Sequence, residues 1–292
     1  MAENKAIKET YKIGVTHGGR FHTDDVLSTA LLKGLFPAFE VIRLTNYDAS
    51  KVPKGALVYD IGGGEYDHHR REVCNRFGMP YSALGLLWRD FGERYLAERG
   101  FTHIEMAKRW FEEKYISKVD QGDNCGYALV SDFPENELIV GFNPLWYEEA
   151  RSDERFSRAV AFAGEILELW TRRAYQVIEM TPLEDAIWEN AKARSKDGIF
   201  VFDEGIPWRS VAKRHVEDGL LIAIGKSNRS GYYVMPAEGS GLVVPDDPLL
   251  VFRHVSGFLG IAAGLDDALS VARHTLAAVD NQIDNSIKRM YN

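Results

Sequence analysis

Residues 11–36, YKIGVTHGGRFHTDDVLSTALLKGLF, set the expectation for the whole fold. The short apolar run 11–16 ends in His17-Gly18-Gly19, the pattern of a buried strand giving way to a tight turn. Over 24–36, Val26, Leu27, Ala30, Leu31 and Leu35 recur at helical spacing, and Asp24 and Asp25 open the segment where the helix dipole favours anions. Working outward, 39–44 (FEVIRL) and 56–61 (ALVYDI) have strand character, the second ending in Gly62-Gly63-Gly64, and 82–92 and 104–119 have helical character. Strands alternating with helices predict an α/β fold with a mainly parallel sheet.

The texture changes near Pro144. Phe156, Val160, Ala163, Leu167, Trp170, Ala174 and Val177 follow a 4-3-4-3-4-3 spacing, a seam on one long helix. Such a seam either packs on its own chain or pairs with a second copy in a homo-oligomer. From Ile199 come four strand candidates, IFVFDE, LLIAIGK, GYYVMPA and LLVFRHV, and then a helix over 266–279. The expected organisation is a catalytic domain at 1–150, a helical connector at 151–198, and a smaller α/β or α+β substrate-binding domain at 199–292. At about 150 residues per domain, two domains suit the length.

Composition narrows the class. With 45% hydrophobic and 27% charged residues the chain can bury a core, so disorder is excluded. No apolar run approaches the roughly 18 residues of a membrane span, and MAENKAIKETYK lacks a signal-peptide core, so a cytoplasmic protein is expected. The net charge of −8 disfavours a coat on long duplex DNA and leaves room for a nucleic-acid enzyme. Two cysteines, Cys74 and Cys125, are too few for a disulfide framework and are expected to be buried thiols.

Four of the eight histidines lie between 17 and 69. His17 and His22 sit beside Asp24 and Asp25, while His68 and His69 follow Asp67. Chance would place Asp-His-His roughly 0.01 times in a chain of this composition. His17 and Asp60 fall at the carboxyl ends of predicted strands, where open α/β sheets bind ligands. Asp120, in VDQGDN, follows a predicted helix and can close the site. His with Asp and no Cys suits a divalent ion: manganese or magnesium first, with cobalt, zinc or iron open. Six side chains (His17, His22, Asp24, Asp60, His68, Asp120) are too many for one open catalytic ion and about right for two.

The blocks HGGRFHTDD, VYDIGGGEYDHHR and VDQGDN resemble motifs of the DHH phosphoesterase superfamily. Together with FNPLWYE and FRHVSGFLGIAAGLDDALSVAR, they are more closely similar to the Myg family of metal-dependent hydrolases, whose eukaryotic members carry 3′-5′ RNA exonuclease activity. The resemblance implies a DHH-type fold. It gives the first metal His17 and His22, the second Asp24, His68 and Asp120, and makes Asp60 the bridge. Asp67 and His69 would orient ligands or contact phosphate. Asp25 is the other candidate at the first motif, which here runs His17-x4-His22-x-Asp24 where the superfamily has His-x3-Asp-x-Asp. Arg70 can meet phosphate oxygens, and His254, Ser256, Gly257 and Gly260 form a late glycine segment implied to touch substrate. The implied function is a two-metal phosphoesterase acting on nucleotides or single-stranded RNA ends, with a small-molecule phosphohydrolase or an inactive metal or nucleic-acid binder as alternatives.

Overall fold

The computed structural model describes residues 10–69, 73–148, 152–228 and 230–290, with side chains as far as 278. The chain divides into two compact units, Met1–Glu179 and Met180–Asn292.

The first unit opens with β1 (Ile13–His17), α1 (Thr23–Leu35), β2 (Glu40–Leu44) and β3 (Leu57–Val58). The strands form a parallel sheet in the order β2-β1-β3, as the alternating pattern predicts. The third strand is shorter than its apolar run because the chain turns at Asp60, which adopts φ 55°. A side chain outside glycine accepts that left-handed backbone only at a cost, and such residues gather at functional sites. Helix α1 is apolar nearly all round: Val26, Leu27, Leu31 and Leu32 are fully buried. The helix is enclosed by the sheet, by α2 (Ala83–Ala97) and by α6 (Ser152–Ile178).

The predicted helix 104–119 is longer and less regular than its sequence suggests. It runs as α3 (Ile104–Phe111), a π-helical turn (Glu112–Ile116) and α4 (Ser117–Cys125). A short helix α5 (Glu135–Val140) precedes α6.

The 156–177 seam is consumed within the first unit. Phe156, Val160, Ala163, Leu167, Trp170 and Ala174 are buried in its core, and Trp170 stacks on Tyr115 with ring centroids 4.1 Å apart. Its apolar positions are therefore not free to pair with a second copy. The segment expected as a connector is also shared out: α6 belongs to the first unit and α7 (Thr181–Ala193) to the second.

The second unit contains β4 (Ile199–Phe202), α8 (Trp208–Ala212), β5 (Ile222–Lys226), β6 (Tyr232–Pro236), β7 (Leu250–Arg253), β8 (Gly260–Ala262) and α9 (Leu265–Met290). Its sheet has the order β4-β5-β6-β8-β7, with only the β4–β5 pair parallel. Alternation along β5 sends Ile222 and Ile224 to one face with Ala268 and Val271 of α9, and Ala223 to the other with Trp188 of α7 and Phe200. Among the described residues no helix is long and apolar enough to cross a membrane. Cys74 and Cys125, expected to be buried, are both exposed.

Candidate metal centre

Three elements of the first unit bring their polar residues to the carboxyl end of the sheet. His17 is the last residue of β1, Asp60 follows β3, and Asp24 and Asp25 occupy the first turn of α1. Two adjacent residues on a helix point about 100° apart, so the two acids serve different neighbours. Asp25 Oδ1 accepts the His22 backbone N–H at 2.8 Å and caps the helix, while its Oδ2 lies 3.2 Å from His17 Nε2. The same His17 nitrogen lies 3.2 Å from Asp60 Oδ2. Asp24 groups instead with His22 and Asp123.

Asp60 joins the halves. Its Oδ1 is 3.3 Å from His68 Nε2 and 3.8 Å from His69 Nδ1, and His68 Nε2 lies 3.1 Å from Asp123. His17, His22, Asp24, Asp25, Asp60, His68, His69 and Asp123 thus form one connected set. Asp67 stands behind it, accepting from His69 Nδ1 at 2.7 Å and from the Gly63 backbone N–H at 2.5 Å.

The electrostatics of this set call for a cation. Asp24, Asp25 and Asp60 are buried, and Asp123 is half-buried. Both oxygens of Asp24, Oδ2 of Asp25, Oδ1 of Asp60 and Nε2 of His17 lie buried and face only other members of the set, without a donor from outside it. Burial of an unpaired carboxylate is expensive. Accordingly, burial and the neighbouring acids push Asp24 well above the ordinary carboxylate range, and burial raises Asp25 and Asp123. Burial disfavours the His17 imidazolium, yet Asp25 and Asp60 outweigh it and raise the group to about 10. Asp60 stays ionised: burial opposes it, but His17 and His68 hold it down to about 2. Divalent ions fit this donor set of imidazole and carboxylate.

The geometry differs from the sequence-based expectation in three places. His17 groups with Asp25 and Asp60, not with His22, although the two imidazole rings are 5.4 Å apart. Asp24 and Asp25, of which the first motif was expected to supply one ligand, both stand among the metal-type donors. Asp120 is outside the set: Oδ1 accepts from the Ser82 backbone N–H at 2.9 Å and hydroxyl at 2.8 Å, and Oδ2 from Asn75 Nδ2 at 2.8 Å. It ties the N-cap of α2 to α4, and Gly85 leaves room for it, since a Cβ there would collide with the carboxylate. Asp123, one helical turn on, takes the place beside His68. Its signal was in the same VDQGDN block, as the second acid of an i, i+3 pair.

Of the remaining candidates, Arg70 lies outside the described residues. The segment 254–259 is the turn between β7 and β8 in the second unit, and Gly260 opens β8. His254 Nδ1 contacts Ser256 Oγ at 2.9 Å. Gly257 has φ 68° with Val243 and the Val244 carbonyl against it, and Gly260 is buried beside Leu250 and Val244. Both glycines are explained by packing. A further acid–histidine group, Glu189, His215 and Asp218, is already neutralised: Asp218 accepts from Lys192 Nζ at 2.6 Å and Trp188 Nε1 at 2.8 Å.

The family model MYG1_exonuc, described as an uncharacterised protein family (UPF0160), matches residues 12–240, which include every member of the His/Asp set. The chain belongs to the MYG1 family. A human relative, named MYG1 exonuclease, is 26% identical and aligns over 90% of this chain and 85% of its own length. MYG1 protein C694.04c of Schizosaccharomyces pombe is 22% identical over 89% of this chain and 96% of its own. Among solved structures, RecJ from Thermus thermophilus in complex with Mn2+ is 12% identical with a TM-score of 0.30, covering 95% of this chain and 53% of that one. The chain thus spans about half the length of that RecJ chain. The β7–β8 turn lies beyond the part of this chain that the family model covers.

Proposed function

We propose that this chain is a metal-dependent phosphodiesterase that removes nucleotides from the 3′ end of RNA or short oligonucleotides. One observation carries the proposal: buried oxygens of Asp24, Asp25 and Asp60 converge with Nε2 of His17, facing only other members of the His/Asp set and no outside donor. The name of the human relative supports exonuclease activity. The net charge of −8 favours short substrates over long duplexes.

His17, Asp25 and Asp60 would hold one divalent ion, and His22, Asp24 and Asp123 a second, with Asp60 and His68 at the junction. Manganese is the ion we favour for this mixed His and Asp set. When bound, such a pair supplies positive charge against the phosphate and lowers the pKa of water. The protein's own proton carrier is His69. Its Nδ1–H donates to Asp67, which orients the ring and leaves Nε2 free to take up a proton and then pass it to the departing oxygen. Asp67 is kept ionised, burial being outweighed by the Gly63 N–H and His69, so it can hold the ring through Nδ1. The two exposed, free cysteines suit a reducing compartment such as the cytoplasm.

Calorimetric titration with Mn2+ followed by hydrolysis of a 3′-labelled RNA oligonucleotide tests the proposal. Two ions per chain and release of mononucleotides are expected. Failure to bind any ion, or near-normal turnover by Asp60→Asn with two ions bound, would overturn it.

A further inference from the structure

The FNPLWYE block lies outside the metal-type donors, yet the structure ties it to them. Asn143 is buried and brackets the backbone of Phe21: Oδ1 accepts the Phe21 N–H at 3.0 Å and Nδ2 donates to the Phe21 carbonyl at 2.8 Å. Phe21 is the residue before His22. At the far side, Ser152 Oγ donates to the Gly19 carbonyl at 2.6 Å, and Arg43 joins both residues at 2.8 and 3.0 Å. The stretch 143–148 is therefore anchored through Asn143 to the 17–22 loop, to which Ser152 is tied as well.

Within it, Leu145–Glu148 form a tight turn. The Glu148 N–H donates to the Leu145 carbonyl at 2.7 Å, and Glu148 Oε2 accepts from the Leu145 N–H at 3.2 Å and from Arg155 at 2.7 Å. The central positions of such turns usually hold Gly, Pro, Asn, Asp or Ser. Here they hold Trp146 and Tyr147, which are 87% and 66% exposed, with ring centroids 5.5 Å apart and planes at 90°. A turn that shows two large rings to solvent forgoes their burial, and although one ring sets its edge against the other, most of their surface is open to a ligand. Trp146 lies about 10 Å of chain from Asn143, and Arg20, in the 17–22 loop, is exposed as well.

We propose that Trp146 and Tyr147 are a stacking platform for a nucleobase of the substrate. This rests on the phosphodiesterase reading above, since the nearby donors would hold the phosphate to which that base is joined. Stacking on an aromatic side chain tolerates any base, so the platform would select for a nucleotide over a bare phosphate ester without reading sequence.

The test uses the full chain loaded with Mn2+, with adenosine 5′-monophosphate and ribose 5-phosphate as probes. Adenosine 5′-monophosphate should quench tryptophan fluorescence in the wild type, and its affinity should fall about tenfold in Trp146→Leu. Trp146→Phe should retain most of the affinity. Ribose 5-phosphate binding and the Mn2+ stoichiometry should be the same in all three proteins. Equal affinity of the wild type and the Trp146→Leu, Tyr147→Leu double variant for adenosine 5′-monophosphate would overturn the proposal. So would a dimer in the wild type that the double variant dissociates, because the rings would then cover a second copy. If RNA is not hydrolysed but the monophosphate still needs Trp146, the platform stands and the phosphodiesterase reading falls; normal hydrolysis with no preference for the base removes the platform alone.

Discussion

Replacing Asp120 with Ala should destabilise the first unit without removing a metal ion. The substitution strands the buried Ser82 N–H, worth about 1–3 kcal/mol, and takes the acceptor from the Ser82 hydroxyl for about 1 kcal/mol more. Asn75 is half-buried and recovers water. The total is about 2–4 kcal/mol, or roughly 5–12 °C in Tm for a unit of this size. The cost depends on pH with a definite sign. Burial raises Asp120 to about 6 in the folded state, against the Ser82 and Asn75 hydrogen bonds that lower it. A folded-state acid that binds its proton more tightly than the unfolded one loses relative stability as pH rises from about 4 to about 6. The penalty of Asp120→Ala should therefore be about 1 kcal/mol smaller at pH 7 than at pH 5. Asp123→Ala should behave in the opposite way, binding one Mn2+ fewer while the metal-free Tm holds or rises, because three neighbouring carboxylates lose a repelling partner. Thermal unfolding at both pH values, paired with calorimetric Mn2+ counts, checks this. Loss of an ion from Asp120→Ala with an unchanged Tm would refute the assignment of structure to Asp120 and ligation to Asp123.

Loading the apo-protein should expel protons, since burial and neighbouring acids raise Asp24, Asp25 and Asp123, and the carboxylates raise His17. Mn2+ affinity should then climb with pH, and titrations in two buffers of different ionisation enthalpy should report proton release; none released would count against the site. Asp67→Asn should cut turnover by about 10–100-fold with both ions retained, because it loosens His69 and not the donors; a matching loss of metal would contradict that. In the second unit, Gly257→Val should lower stability in a thermal melt, since the new side chain meets Val243 at φ 68°.

Much of this protein is legible along the chain because the relevant forces act between near neighbours. Apolar spacing over 11–36 is enough for β1, the glycine turn and α1, and places His17 at a strand end, as the apolar run 56–61 does for Asp60. The Asp-His-His tripeptide announces its chemistry by composition alone. Three decisions belong to the tertiary structure. Which acid of the Asp24–Asp25 pair meets His17 depends on where the first turn of α1 points relative to β1 and β3. Asp120 and Asp123 trade places because the helical run contains a π turn and continues to Cys125, so α4 directs one acid at Ser82 and the other at His68. Asn143 reaches Phe21 across 122 residues, a pairing that no local period encodes. Neighbouring residues set what kind of element forms, whereas the direction in which each side chain leaves it is set by helix register and by packing between distant segments.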